Sequence, residues 1–584
     1  MVPLFAKYQT ESGSCFVYDI CTGEILRVGN IVYHILDDYH LLTADEICEK
    51  YSALTEPEHI CEALMKLDEA QAQGLLCDHA PEISVKVESA CYQGKPESVR
   101  DFLRHRRRQL TLEVTHQCNL ACEYCVYGRH YDQTRQRNDM PMSLDTAKHA
   151  IARFLSHKPK RAVIGFYGGE PLIEFELMRD IVAFAEELAA QSGVEAAFNI
   201  TTNGTLLSDE KIHFLVAHKF AVFISLDGNK ETHDRYRVFK GTGNSEERKG
   251  SYDVVVRNME RFVELYPDYI SRGIALTLTA TTNLSEVEQF VRQWKPLFPS
   301  FSSSPVAPVT SRVEATRAAR ASIQLGDCRT LACSDESCIR RHPHHKQLRE
   351  LPDFDDWSRG GLQALEQGLC HLLAKLRHSG DMTSAQQICD DAPISVGQLR
   401  TNIEHIHHRP VIGDATRKHP VTRLSCFPGA VRTYVSSQGA MFPCEKIDFG
   451  KLFVIGDAVG DIDADKACDF LVEMVRLGCD CGNCILTHLC ALCPAQVTES
   501  RELPGYPDFL ALQGTCGQLA SEAALTAHLR RYTVLIETNP EFLDKLLPRR
   551  DGNQANDDWL GHTKLVTAKQ EPIEVGVEEL AGFV

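Results

Sequence analysis

The sequence predicts an α/β fold: a (β/α) barrel, preceded by a small α+β module and followed by a cysteine-rich segment. Three observations point to it. Strand-like and helix-like patterns alternate regularly between residues 110 and 310. A short strand hairpin followed by helical patterns stands ahead of them. Many of the chain's 23 cysteines gather in two tight groups, one early in the alternating region and one beyond residue 425.

At 584 residues the chain exceeds a single compact core, so roughly two to four domains are expected. The hydrophobic content of 43% is ordinary for a chain that buries sizeable cores. No apolar run is long enough to span a bilayer, and the first ten residues are not built like a signal peptide. A cytoplasmic protein is expected, so the cysteines read as reduced thiols or metal ligands rather than disulfides. A formal net charge of −18 argues against broad nucleic-acid binding, which needs a basic footprint. No membrane partner is expected either.

The N-terminal element spans residues 1–95. Ser14–Ile20 and Glu24–Val28 are expected as strands around a Thr22-Gly23 turn. Ile31–Leu36 is a short helical piece, and Thr43 caps a helix running to Tyr51. Pro57–Gln73 places Ile60, Leu64 and Leu67 on one face and stops at Gly74, before a closing strand at Leu75–Cys77. Hairpin, helices and closing strand predict a winged-helix module. Their order resembles the PqqD-like recognition element of enzymes that modify ribosomally made peptides. The resemblance implies that a leader peptide docks here as an added strand on a sheet edge; a plain accessory domain is the alternative. Cys15, Cys21, Cys48, Cys61, Cys77 and Cys91 lack ligand spacing and read as small buried apolar residues. The basic run Arg104–Arg108 reads as a solvated linker, or as a contact to an acidic leader segment.

The barrel is expected over residues 105–310, with strands at 110–115, 161–167, 197–202, 220–226 and 272–281 and a sixth around Ser303–Val309. Helices are expected at 143–156, 174–191, 208–218, 252–265 and 285–294. Such alternation implies right-handed parallel crossovers, and active sites of parallel barrels sit at the carboxyl ends of the strands. Residues 311–425 read as an insertion, a linker or lid, with a helix over Leu362–Arg377. Cys328, Cys333 and Cys338 and the run Arg341–His345 within it are a weaker candidate for metal binding. Cys370, Cys389 and Cys468 read as buried thiols. Residues 521–584 are expected to hold a helix at Thr526–Glu537 and an acidic tail.

Directly after the first barrel strand come Cys118, Cys122 and Cys125, a CxxxCxxC triplet. Three thiolates on one short loop hold three irons of a cubane and leave the fourth without a protein ligand. Zinc fits less well, because structural zinc wants four ligands and usually pairs CxxC with a second pair. The triplet and its place after a strand resemble the radical S-adenosylmethionine (radical SAM) superfamily. That resemblance implies a six-unit, partly open barrel whose [4Fe-4S] cluster reduces SAM to methionine and a 5′-deoxyadenosyl radical. It also implies roles at later strand ends. Gly168, Gly169 and Glu170 match the element that meets the SAM amino group. Asn203, Ser225 and Asp227 match the polar residues set against ribose and carboxylate. Tyr124 matches the aromatic residue that flanks adenine. A lone Gly-Gly-Glu or Ser-Leu-Asp-Gly also reads as a tight turn at a strand end; the signal lies in four such turns at successive strand ends, beginning with the CxxxCxxC triplet.

Beyond the insertion, over residues 426–520, Cys426, Cys444, Cys481, Cys484, Cys490, Cys493 and Cys516 follow at ordered spacings. The layout resembles the SPASM domain of radical SAM peptide-modifying enzymes. It departs in leaving two residues rather than three between Cys490 and Cys493. The resemblance implies two auxiliary [4Fe-4S] clusters. One would be held by Cys481, Cys484, Cys490 and Cys516. The other would be held by Cys426, Cys444 and Cys493, with its fourth ligand open among Cys479, Cys468, Cys389 and the substrate. A zinc knuckle at Cys481–Cys493 is the alternative. The implied activity is that of a radical SAM oxidoreductase maturing a precursor peptide bound through its leader. It would form an intramolecular cross-link, preferably a cysteine thioether of the sactipeptide or ranthipeptide type. A flavodoxin or ferredoxin would supply electrons. Rivals are an anaerobic sulfatase-maturing enzyme, a carbon–carbon cross-linking maturase and a non-catalytic iron–sulfur carrier.

Overall fold

A computed structural model of the chain describes residues 5–76 except 11, 106–127, 140–241, 249–279, 282–305, 368–376, 382–407, 432–447, 453–468 and 522–538. It also describes Arg100, Leu103, Pro428, Gly429, Phe470 and Leu489 singly. Among these residues no helix is long and apolar enough to cross a membrane.

The N-terminal module is a three-stranded antiparallel sheet in the order β1 (Phe5–Gln9), β2 (Cys15–Asp19), β3 (Ile25–Val28). Strand β1 joins the expected hairpin. Its five residues, FAKYQ, carry a lysine and lack turn signals of their own. Helices α1 (Asn30–Ile35), α2 (Ala44–Tyr51) and α3 (Pro57–Ala72) follow. Helix α2 starts with a reciprocal capping box between Thr43 and Glu46. Leu75 and Leu76 form no strand, and Cys77 and Cys91 lie outside the described residues.

Alternation along the strands gives this sheet two apolar faces. Val17, Leu26 and Val28 face Val32, Ile35, Ile47, Ile60 and Leu67 of the module's own helices. Tyr8, Phe16, Tyr18 and Ile20 face Leu369, Leu372, Leu376, Leu399, Ile406 and Leu529. The second set comes from the helical segment 368–376, from α11 (Pro393–His407) and from α12 (Glu522–Thr538). The described parts of the insertion therefore pack as a second layer on the N-terminal sheet. Cys15, Cys21 and Cys389 are buried as expected, whereas Cys48 and Cys468 are half-buried and Cys61 and Cys370 exposed. Cys48 and Cys61 face each other across α2 and α3 with their sulfurs 3.9 Å apart. Their helical faces point outward, which a spacing argument does not show.

The main sheet has ten strands in the order β13-β12-β11-β10-β4-β5-β6-β7-β8-β9. Strands β4 (Gln109–Thr115), β5 (Arg161–Gly168), β6 (Glu195–Thr202), β7 (Ala221–Ser225), β8 (Arg272–Leu278) and β9 (Ser300–Pro305) run parallel in chain order. Between them lie α4 (Leu144–Ser156), α5 (Phe175–Ser192), α6 (Asp209–Ala217), α7 (Lys230–Tyr236), α8 (Tyr252–Leu265) and α9 (Leu284–Trp294). Ser143, Ser208 and Asn229 cap three of these by accepting a backbone N–H one turn on. The core packs Ile151, Phe154, Ile181 and Phe262 of the helices against Leu112, Ile164, Ile200 and Ile224 of the strands. The short α10 (Met382–Asp390) precedes α11.

The cysteine-rich segment contributes to the same sheet. Strand β10 (Arg432–Val435) pairs parallel with β4, Tyr434 opposite Thr111. Strands β11 (Ala440–Phe442), β12 (Gly456–Asp457) and β13 (Asp461–Ile462) continue it antiparallel.

A buried ionic contact holds this extension. Arg107 is 3% exposed and donates from Nη1 to Asp461 Oδ1 at 2.6 Å. His157 Nε2 lies 2.5 Å from the other carboxylate oxygen. Arg107 is thus no part of a solvated linker; Arg104 and His105 lie outside the described residues. Burial raises the Asp461 carboxyl, but the His157 hydrogen bond and the Arg107 charge outweigh it and hold it at about 2. A depressed carboxyl stabilises the fold above its unfolded value, roughly pH 4, and that contribution is lost as pH falls through the folded value. Asp461→Asn is therefore expected to cost about 3 kcal/mol of stability at neutral pH, by breaking a buried pair. Urea titrations of both chains should show the gap closing between roughly pH 4 and pH 2.

Candidate functional site

Strand β4 ends at Thr115, and the chain turns directly into the loop carrying Cys118, Cys122 and Cys125. The loop lies at the carboxyl end of the parallel strands, where parallel α/β folds place their sites. A backbone splint holds it. Ala121 N donates to Val238 O (2.8 Å), Glu123 N to Tyr236 O (3.1 Å) and Lys240 N to Asn119 O (2.9 Å). Leu120 and Phe239 form an antiparallel bridge. Residues 236–240, at and just beyond the end of α7, thus serve as a partner strand for the cysteine loop.

The glycines after β5 support the loop from the other side. Gly169 N donates to Thr115 O and Glu170 N to Gln117 O, both at 2.8 Å. Gly168 has φ +133°, and a Cβ on it would lie 2.1 Å from Thr115 O. A Cβ on Gly169 would lie 2.1 Å from Gln117 O and 2.7 Å from His116 O. Only glycine permits this approach of two backbones. Their visible task is to seat the cysteine loop.

Glu170 is fully buried, and its carboxylate is engaged by the chain itself. It accepts from Thr202 Oγ1 (2.7 Å), Asn203 N (2.7 Å) and Leu172 N (3.1 Å). Burial pushes its carboxyl up from the ordinary range, against these three bonds. The side chain braces the ends of β5 and β6. Asn203 reaches the loop directly, donating from Nδ2 to Asn119 Oδ1 (2.9 Å) and approaching Cys118 Sγ at 3.7 Å. Its Oδ1 accepts from Thr205 N (3.0 Å) and Thr205 Oγ1 (2.6 Å). Ser225 is half-buried at the end of β7, opposite Ala275.

Asp227 sits in a buried ion pair. Its Oδ2 accepts from Arg237 Nε (2.8 Å) and from the Tyr124 hydroxyl. Its Oδ1 accepts from Thr277 N (2.9 Å) and Arg237 Nη2 (3.3 Å). Burial raises the Asp227 carboxyl, but Arg237 more than compensates and holds it below the ordinary range. The Arg237 guanidinium lies 5.4 Å from the centre of the Tyr124 ring, and Tyr124 tilts against Tyr236 at 5.9 Å. Tyr124, Tyr236 and Cys122 pack together beside the loop. Sequence reasoning missed Arg237. The available signal was electrostatic: a buried, ionised aspartate at a strand end requires a cation, and Arg235 and Arg237 stand within one helix of it.

The triplet is therefore brought together with Gly168, Gly169, Asn203, Tyr124 and Asp227. Of the seven C-terminal cysteines at ordered spacings only Cys444, half-buried against the main core, is described; the fourth-ligand candidates Cys468 and Cys389 are described as well. Cys426, Cys481, Cys484, Cys490, Cys493 and Cys516 lie outside the described residues, as do Cys479, Cys328, Cys333, Cys338 and the run Arg341–His345.

The donor set fits an iron–sulfur cluster. Burial pushes the Cys118 thiol up to about 11 and the Cys122 thiol up to about 12, with neighbouring thiols adding to both shifts. A site that disfavours bare thiolates this strongly suits a cation that compensates their charge. Among the described residues no three His, Cys, Asp or Glu groups converge on one metal-ion position. A cubane offers a separate iron to each sulfur and does not need such convergence.

Residues 112–293 match the family model of the Radical SAM superfamily, so the chain carries a radical SAM domain. Such a domain uses SAM and a [4Fe-4S] cluster. The cysteine-type anaerobic sulfatase-maturating enzyme of Clostridium novyi is 28% identical over 144 residues, 24% of this chain and 37% of that protein. An uncharacterised protein of Methanocaldococcus jannaschii is 31% identical over 187 residues, 32% of this chain and 57% of that protein. Both curated relatives are thus spanned over less than two thirds of their own length. Among solved structures, native anSMEcpe with bound AdoMet aligns with a TM-score of 0.46 and 16% identity, covering 74% of this chain and 99% of that one.

Proposed function

We propose that the chain is a radical SAM maturase of a ribosomally made precursor peptide, forming an intramolecular cross-link, preferably a cysteine thioether. When bound, the cluster and SAM supply a 5′-deoxyadenosyl radical that abstracts hydrogen from the peptide. The residues on this chain do the holding. Cys118, Cys122 and Cys125 hold the cluster. Gly168 and Gly169 seat their loop, and Glu170 closes the turn above it. Asn203, Ser225 and Asp227 border the space left for SAM, and the Arg237 ion pair fixes Asp227 and Tyr124. Cys444 and the six cysteines at 426, 481, 484, 490, 493 and 516 would hold two auxiliary clusters, and the chemistry these would supply is acceptance of an electron.

The observation that carries the peptide reading is the N-terminal sheet. Among the described residues β3 pairs only with β2, leaving its other edge for an added strand. Asp19 N donates to Glu24 O at 2.9 Å, so by antiparallel alternation the Arg27 N–H points away from β2 toward that edge. Arg27→Pro removes this outward donor and leaves the β2–β3 ladder intact. It is expected to weaken precursor binding at least about tenfold, the worth of a lost strand-pairing bond, while SAM cleavage continues. Unchanged affinity in calorimetry would count against docking at β3. Deleting the whole module is a poorer test, because it would expose Leu369, Leu372, Leu376 and Leu529.

A second reading is maturation of a sulfatase, favoured by the similarity to the anaerobic sulfatase-maturating enzyme of Clostridium novyi. Mass spectrometry after co-expression with the precursor separates the two. A thioether keeps the sulfur and loses two hydrogens. A formylglycine made from cysteine loses the sulfur and gains oxygen.

A further inference from the structure

We propose that Glu113 is a positioning residue that couples the cysteine loop to the strand leading to Cys444. Glu113 lies on β4 and is fully buried. Four groups converge on its carboxylate. The Tyr127 hydroxyl donates to Oε1 at 2.6 Å, and the Tyr434 hydroxyl donates to the same oxygen. Ser437 N donates to Oε2 at 3.0 Å, and His116 Nε2 lies 2.8 Å from Oε2. The two hydroxyls are themselves 3.0 Å apart.

The origin of these partners gives the cluster its meaning. His116 stands two residues before Cys118 and Tyr127 two residues after Cys125, so both ends of the cysteine loop terminate on one carboxylate. Tyr434 and Ser437 belong to β10 and the turn after it, and the chain passes from there through β11 to Cys444. The Tyr434 ring also lies edge-on to Tyr167, the residue before the glycine pair, with centroids 6.2 Å apart. Backbone pairing of β10 with β4 sets the register but leaves side-to-side slack at strand ends. A buried carboxylate with four partners removes it, since each bond lost leaves a dry polar group behind. Burial alone would be costly for this ion, yet the bonds from His116, Tyr127 and Tyr434 outweigh burial and hold its carboxyl below the ordinary range.

Coupling of the two segments bears on the proposed function only through Cys444, as a ligand of an auxiliary cluster placed at a set distance from the SAM site. The test separates the two ideas. Hydrogen–deuterium exchange is followed on the anaerobically purified full chain, on Glu113→Gln and on Tyr434→Phe, which keeps the ring and removes one hydroxyl. In Glu113→Gln, exchange is expected to quicken roughly tenfold over both 118–127 and 432–437, as for loss of one buried bond, and to stay unchanged over 195–202. In Tyr434→Phe it is expected to quicken over 432–437. Unchanged exchange over 432–437 in both variants, or an equal rise over 195–202, overturns the proposal. During turnover with the precursor, Glu113→Gln is expected to form at least fivefold more 5′-deoxyadenosine per modified peptide than the parent chain; an unchanged ratio overturns the coupling role. A parent chain that modifies no peptide sinks the proposed function and leaves the exchange result standing.

Discussion

A chain with Cys118, Cys122 and Cys125 replaced by alanine is expected to lose reductive SAM cleavage entirely. The three sulfurs are the loop's only thiols, and no nearby His, Asp or Glu converges with them among the described residues. Iron bound at this loop therefore has no substitute donors. The loss should be local. The loop is splinted by backbone bonds to residues 236–240 and seated on Gly169 and Glu170, none of which use the thiols. Circular dichroism and the thermal midpoint should stay close to those of the parent chain. Anaerobic reconstitution followed by quantification of 5′-deoxyadenosine and of iron per chain checks this. Retained cleavage would refute the assignment of the triplet, and collapse of the fold would refute the claim that the loop is held by backbone.

Gly169→Ala is expected to have an effect almost as large, although the added group is a single methyl. A Cβ there meets Gln117 O at 2.1 Å and His116 O at 2.7 Å, and both obstacles are backbone. No rotamer change relieves the overlap, so the segment 115–118 must shift. That shift breaks the Gly169–Thr115 and Glu170–Gln117 bonds and displaces Cys118. Two buried backbone bonds are worth about 2 kcal/mol or more, before strain is counted. The expected result is a folded chain that assembles little iron at the triplet and cleaves SAM at under a tenth of the parent rate. Gly193→Ala provides a comparison: Gly193, unlike Gly169, has a positive φ, +67°, yet a Cβ there meets nothing within 4 Å, so SAM cleavage should persist. Equal cleavage by Gly169→Ala and the parent would show that the loop is not seated on this glycine.

Much of the main sheet was legible because its strands are apolar runs and its helices carry capped, one-sided patterns. Leu110–Thr115 and Arg161–Tyr167 are dense in Val, Ile, Leu and Phe, and Ser143, Ser208 and Asn283 mark helix starts. The sixth strand was anticipated at Ser303–Val309 but forms at Ser300–Pro305, since its serines carry no apolar alternation. Strand β10 was not anticipated. Arg-Thr-Tyr-Val is too short to show a period, and its partner β4 lies more than three hundred residues earlier. Nonlocal pairing of this kind leaves no mark in a local window. The same distance hid Glu113. Within Leu-Thr-Leu-Glu-Val-Thr it looks like an outward-facing strand residue, and only Tyr127, Tyr434 and Ser437, folded onto it, explain its burial.

In the candidate site, the positions legible in sequence were those whose residue type is chemically rare: three spaced cysteines, and paired glycines at a strand end. Tyr124, Asn203 and Asp227 were named through the resemblance alone, and the partners that hold them were not legible. Arg237 emerges only once α7 returns it to Asp227. Glu170 and Asn203 were read as facing a ligand; the fold adds their partners within the chain, Glu170 bracing β6 and Asn203 reaching the cysteine loop.

The most direct measurement is electron paramagnetic resonance of the anaerobic, reduced chain before and after addition of SAM. A cluster held by Cys118, Cys122 and Cys125 has one iron without a protein ligand, so SAM is expected to bind there and change the signal. The change should be absent from Cys125→Ala. A signal that SAM leaves unaltered in the parent chain would mean a fully ligated cluster, or none at this loop, and would contradict the account.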